Sequence, residues 1–285
     1  MPRAQRLVNK FKRLGIEPIS IFEYKNDILT SSLDKVEIVP LPCIHYGHPA
    51  YHDLLLKSAI DYISAEPYRF GLFLGDMIEN GVINSKGNPY DDLVNPGDQL
   101  DNIIERFKPI KNQIIAVLRG NHENRTLRTV GIDPGRIIAY GLDVPYLGIE
   151  GIVKIQFGKS KWDGKQIMYS IYAHHGWSNG RTIGAKVNTL DKMTQRVEGC
   201  DVYLMAHSHQ MLAYPSGIYT VSPRAKAQVK LTQRLMVMCG SFLCGAEYAA
   251  EKGYQPTVPG TVIITLLGHN KGAYATIRIG NQLGM

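Results

Sequence analysis

From Lys35 onward, short apolar runs rich in Ile, Val, Leu and Phe stop at glycines or polar residues, and segments of helical spacing lie between them. The pattern predicts a strand at 36–40, a loop to Gly47, a helix at about 51–65 and a strand at 70–74 that ends at Gly75-Asp76. A polar loop over 81–98 leads to a helix at 100–108 and a strand at 113–118. Strand, helix and strand in this order form a β-α-β unit, and runs that are apolar at consecutive positions read as parallel strands buried on both faces. The second half predicts strands at 151–157, 166–173, 202–205, 234–239 and 261–267, with glycine-rich turns and a helix at 188–197. A second sheet packed against the first is the economical way to bury them.

The first 35 residues differ. Arg3, Arg6, Lys10, Lys12 and Arg13 alternate with Leu7, Val8, Phe11 and Leu14 at helical spacing, which predicts a basic amphipathic helix followed by a connecting extension over 15–35. The expected division is residues 1–35 as helix and extension and 36–285 as the main domain. No repeat or low-complexity tract interrupts it.

Composition changes this picture little. A chain of 285 residues, 44% hydrophobic and 20% charged, can bury a large core. No apolar run approaches the about 20 residues needed to span a bilayer, and the basic opening lacks the apolar centre of a signal peptide. Cys43, Cys200, Cys239 and Cys244 lack close CxxC spacing, so reduced thiols in a cytoplasm are the expectation, with no membrane partner. The net charge of +7 favours polyanionic partners, nucleic acid among them.

Chemistry concentrates where the strands end. Five stretches stand there in order: Cys43-Ile44-His45, Gly75-Asp76, Gly120-Asn121-His122-Glu123, His174-His175-Gly176 and Ala206-His207-Ser208-His209. They hold six of the nine histidines, whereas His48 and His52 read as helix-start or surface residues. Open α/β sheets carry their sites at the carboxyl ends of strands, so these side chains can converge on one edge. Imidazole, carboxylate and amide donors suit divalent manganese, iron or zinc.

The series resembles the calcineurin-like metallophosphoesterase superfamily, whose pattern is D-x-H, G-D, G-N-H-[DE], H (often H-G) and G-H-x-H, over about residues 36–280. The resemblance implies an α/β (α+β) fold, a four-layer αββα sandwich of two mixed β-sheets flanked by helices. It also implies two divalent metal ions (Mn, Fe, Zn or Ni) and hydrolysis of phosphate esters. Carried over by position, Asp76 bridges the ions, His45 and His209 complete the first site, and Asn121, His175 and His207 the second. His122 stands free as general acid, oriented by Glu123 or by Glu79, and Arg125 is placed to contact a substrate phosphate. The chain departs from the pattern in three places: Cys43 replaces the first aspartate, Ala206 replaces a glycine, and His174 precedes His175, which leaves the ligand assignment open by one residue. Cys43 is either a ligand softer than carboxylate or an inert small residue beside the site. The expected activity is phosphodiester or nucleic-acid cleavage, with a phosphate ester such as nucleic acid or nucleotide as partner. A phosphomonoesterase or phosphoprotein phosphatase and a catalytically silent scaffold are the alternatives.

Overall fold

The structure is a computed structural model, and it describes residues 16–20 (backbone only), 33–83, 85, 88–177, 180–221, 229–244, 253 and 255–280. The predicted helix within residues 1–14 lies outside the described residues. Within the expected extension, β1 (Ile16–Ser20) runs antiparallel along β6 (Glu150–Lys159).

The first β-α-β unit forms as its pattern predicts. Strand β2 (Lys35–Leu41) leads through α1 (Asp53–Ser64) to β3 (Arg69–Leu74), parallel to β2. His52 caps α1, its Nδ1 accepting from the Leu55 N–H at 3.1 Å. Helix α2 (Pro96–Phe107) begins four residues earlier than predicted, because Asn95 caps it and Pro96 fits its first turn. It leads to β4 (Ile114–Leu118), parallel to β3. Two helices follow that the periodicity did not predict: α3 (Asn121–Val130), built from the polar run itself, and α4 (Pro134–Leu142), capped by Asp133. The short β5 (Tyr146–Gly148) completes four parallel strands.

In the second half, β6 and β7 (Gln166–His174) are antiparallel, while β7, β8 (Val202–Met205) and β10 (Val229–Ser241) are parallel. Helix α5 (Ile183–Arg196) joins β7 to β8. Strand β9 (Met211–Val221) pairs with β10, and β11 (Gly260–Leu267) with both β2 and β12 (Ala273–Ile279). At Gly240, φ is 87° and a Cβ would lie 2.4 Å from the Gly260 carbonyl oxygen. Only glycine fits there, and it lets the end of β10 leave one sheet and pair with β11 of the other.

The sheets pack face to face. Val36, Ile38, Phe70, Leu72 and Ile115 of one meet Val153, Ile155, Tyr169, Ile171, Leu204 and Val237 of the other. The outer face of the first sheet buries Val39, Leu41, Phe73 and Val117 against Leu55, Ile63, Ile103, Phe107 and Ile138 from the helices. On the opposite flank Tyr172, Tyr203, Met205 and Met236 pack on Leu190 and Met193 of α5. Helix, sheet, sheet and helix are therefore the four layers. Strands buried on both faces explain the unbroken apolar runs. Among the described residues no helix is long and apolar enough to cross a membrane.

Candidate metal centre

The candidate residues follow the carboxyl ends of β2, β3, β4, β7 and β8, all of them in parallel ladders, so five strand ends from two sheets open onto one edge. Backbone bonds hold the loops in register: Cys43 N–H donates to the Gly75 carbonyl (3.0 Å), and His45 N–H to that of Asp76 (2.9 Å). Glycines permit the approach. A Cβ on Gly120 would lie 2.1 Å from Asp76 Oδ1, and one on Gly75 would lie 2.4 Å from the Gly120 nitrogen. Cys43, His45, Asp76, His207 and His209 all adopt positive φ, between 45° and 61°, a conformation that costs about 1–3 kcal/mol per residue and gathers at functional sites.

Asp76 is the centre. Its Oδ1 accepts from the His122 backbone N–H (2.9 Å), while Oδ2 lies 3.3 Å from His175 Nε2, 3.8 Å from His45 Nε2 and 4.0 Å from His122 Nε2. His175 Nδ1 is 2.7 Å from the Leu74 carbonyl, which places a proton on that nitrogen and turns Nε2 toward Asn121 Oδ1 at 2.9 Å. His45 Nδ1 is likewise fixed by Glu79 Oε2 at 2.8 Å, and its Nε2 faces His209 Nε2 at 3.4 Å. The rings of His175 and His207 lie 5.1 Å apart, edge to face. Imidazole nitrogens, a carboxylate and an amide oxygen thus converge on common space, and these are the donor types a divalent cation takes. Cys43, His45 and His209 form one group whose ligand atoms lie within 4.8 Å of one another, and Cys43, Asp76 and His175 form a second. The donor set fits divalent metal ions.

His45, Asp76, His122 and His175 are buried, whereas Asn121, His207 and His209 line the more open side. Burial, and then His122, push the His45 pKa down. Burial pushes Asp76 up, but His175 and His122 together hold it well below the usual carboxylate range.

His122 also lies in a close group with His45 and Asp76, but its hydrogen bonds set it apart from the donors. Its Nδ1 is 2.7 Å from the Glu79 carbonyl and 3.3 Å from that residue's carboxylate, and its Nε2 accepts from Arg125 Nη2 at 2.8 Å. Arg125 is further held by the Glu79 carbonyl (3.0 Å) and Ser85 Oγ (3.2 Å). Asp76 and Glu79 raise the His122 pKa against the burial that lowers it.

Of the two glutamates, Glu79 is the one beside His122. Glu123 is fully buried and accepts from the backbone N–H groups of Gly120 (2.7 Å), Asp76 (2.9 Å), Met77 (2.7 Å) and Ile78 (3.4 Å). It pins two loops and the start of α3 together, and the catalytic role expected of it is not the contact it makes. The pleat of β7 separates the two adjacent histidines: His175 faces the donors, and His174 turns to the outer face. There His174 Nδ1 accepts from the Gly176 N–H (2.7 Å) and Nε2 lies 3.7 Å from Glu150.

Periodicity did not reveal two supports. Asn80 donates to the His122 carbonyl (2.6 Å), and the buried Lys186 donates to the Ser208 carbonyl (2.9 Å) between His207 and His209. Lys186 precedes the helix predicted at 188–197 and falls in the early turns of the longer α5, so no signal in the sequence marked it.

Burial lowers the His174 pKa from 6.5 to about 4, and Glu150 offsets this only in part. The ring is neutral in the fold and charged in the unfolded chain below its ordinary pKa, so its stabilisation is present above pH 6.5 and is lost as the pH falls toward 4. His174→Gln should flatten that acid limb by about 2–3 kcal/mol in urea unfolding of the metal-free protein. An unchanged limb would show that His174 is not the titrating group.

The sequence model of the calcineurin-like phosphoesterase family matches residues 41–211, a span that contains all five stretches. The chain belongs to the calcineurin-like phosphoesterase family. Family membership and the donor cluster together support a metal-dependent phosphoesterase. Among solved structures the chain is similar to YfcE, a phosphoesterase from E. coli, at 14% identity and a TM-score of 0.40, over 85% of this chain and 98% of that one. It is also similar to Vps29 from Chaetomium thermophilum, complexed with a cyclic peptide, at 10% identity and a TM-score of 0.40, over 86% and 96% of the two chains. No curated protein sequence matches it.

Proposed function

We propose that this calcineurin-like phosphoesterase is a phosphodiesterase acting on nucleic acid or a nucleotide ester in the cytoplasm. The observation that carries this reading is His122. It lies beside Asp76 yet directs its Nε2 to Arg125, which leaves it free of the ligand role and available to an alkoxide leaving group. Diesters of nucleosides have poor leaving groups and gain most from a general acid.

Asp76, His45 and His209 would hold one divalent ion, and Asp76, Asn121, His175 and His207 the other. Bound there, the ions supply Lewis acidity toward the ester and activate water for attack at phosphorus. The protein's own groups do the rest. Glu79 fixes the His122 ring through Nδ1, so Nε2 has one direction in which to deliver a proton. Arg125 has a planar guanidinium suited to two phosphate oxygens, and on engaging substrate it would free Nε2 to take a proton from solvent. The ring, its pKa raised by Asp76 and Glu79 against burial, then passes that proton to the leaving group. The positive balance of the chain supports a polyanionic substrate.

The test is a panel of bis-(p-nitrophenyl) phosphate, single- and double-stranded DNA, cyclic nucleotides and a phosphomonoester, each with manganese, nickel, zinc or iron. Diester cleavage is expected to exceed monoester cleavage. Equal or preferential monoester turnover would reassign the substrate class, and no turnover with any metal would favour a scaffold. His122→Ala should retain its metal and lose about 10²–10⁴ in nucleotide-diester cleavage, with a smaller loss on the activated aryl ester. Unchanged rates on the nucleotide ester would remove the acid role.

A further inference from the structure

We infer that Cys43 supplies a sulfur ligand to the first ion position and so makes this centre selective for thiophilic divalent metals over manganese and magnesium. The inference rests on the metal-centre reading above and adds the class of ion that the centre takes. Its basis is a contrast among buried cysteines. Cys239 is as buried as Cys43, but its Sγ lies 4.0 Å from the Val237 carbonyl of its own strand, and it belongs to no donor group among the described residues. The Cys43 Sγ lies within 4.8 Å of ligand atoms of His45 and His209, and equally within 4.8 Å of those of Asp76 and His175.

The surroundings hold that sulfur as an acceptor. The His207 backbone N–H donates to Sγ at 3.3 Å, a bond that orients a sulfur ligand and tempers its charge. The Cys43 carbonyl accepts from the Phe242 N–H (3.1 Å) and from Ser241 Oγ (3.2 Å), and its N–H is bound to Gly75. With the backbone tied on both sides at a φ of 45°, the side chain sits where the core between the sheets meets the histidines, packed on the first and within reach of the second. His45 Nε2 and His209 Nε2 meet at 3.4 Å, so a soft sulfur and two imidazole nitrogens surround one position.

Formation of the metal–sulfur bond releases the thiol proton to solvent, so the ligand carries the same single negative charge as the carboxylate it replaces. Charge is conserved while softness changes. Thiolate and imidazole favour zinc, iron(II) or cobalt(II), whereas manganese and magnesium favour oxygen donors.

Cobalt(II) titration of the metal-free protein provides the test, read by absorption instead of activity. The wild type should develop an intense near-ultraviolet sulfur-to-cobalt charge-transfer band that saturates with binding. Cys43→Ser and Cys43→Asp should lose that band, Cys43→Asp should still bind cobalt through its visible ligand-field bands, and Cys239→Ser should keep the charge-transfer band. Zinc-over-manganese selectivity, measured by competition, should fall by about tenfold or more in Cys43→Asp. Cobalt bound to the wild type without the band, or a band that survives in Cys43→Asp, would overturn the sulfur assignment and leave the metal-centre reading standing. Failure of the folded wild type to bind cobalt, zinc or manganese would overturn both.

Discussion

Asp76→Asn is expected to reduce phosphate-ester hydrolysis by about 10³ or more and to deplete bound metal at both positions. The reason is geometric: Asp76 Oδ2 lies within 4.0 Å of Nε2 of His45, His122 and His175, so an ion held by His45 and one held by His175 would share it. An amide keeps the Oδ1 acceptor used by the His122 N–H, which preserves the start of α3. It replaces the second oxygen with a donor and removes the negative charge that raises His122 and His175. Folding should therefore be nearly intact while catalysis and metal content fall. Elemental analysis beside a diester assay checks both, and a variant that keeps its metal and its rate would contradict the shared-ligand geometry.

Glu123→Ala should destabilise the protein by about 3–5 kcal/mol, the range for removing one side of a buried, charge-assisted network. Four backbone N–H groups from two loops point at this carboxylate, which is fully buried. Burial, and then Asp76, push the Glu123 pKa up, which the Gly120 N–H and the nearby His122 and His175 oppose. Glu123→Gln keeps the volume but turns an NH₂ toward N–H donors, so it should recover only part of the loss. Urea unfolding gives the comparison. A Glu123→Ala midpoint equal to wild type would mean that the loops are held by something else. Loss of activity should accompany loss of stability here, whereas His122→Ala should separate the two.

The strands at the centre of each sheet were legible because burial on both faces demands continuous apolar sequence, as in Ile114–Leu118 and Val202–Met205. The edges were not. Strand β9 carries Pro215 and Gly217 and is largely exposed, and β12 is half-exposed, so neither needs an apolar run. Helix α3 was hidden for another reason. Its first turn, Asn121-His122-Glu123-Asn124, is polar because it faces the donor cluster and caps its own backbone through Glu123. Asp133-Pro134 did carry an N-cap and first-turn signal for α4.

Taken alone, the order of residues determined that metal-capable side chains end successive buried strands, since parallel strands and their loops are written locally in apolar runs and glycines. Tertiary structure alone decided which side chain does what. Glu79 rather than Glu123 lies against His122, His175 rather than His174 faces Asp76, and Lys186 reaches the Ser208 carbonyl. Each outcome depends on hydrogen-bond partners brought from distant parts of the chain. A carboxylate or an imidazole has several partners available, and only packing of the two sheets fixes which one comes within reach.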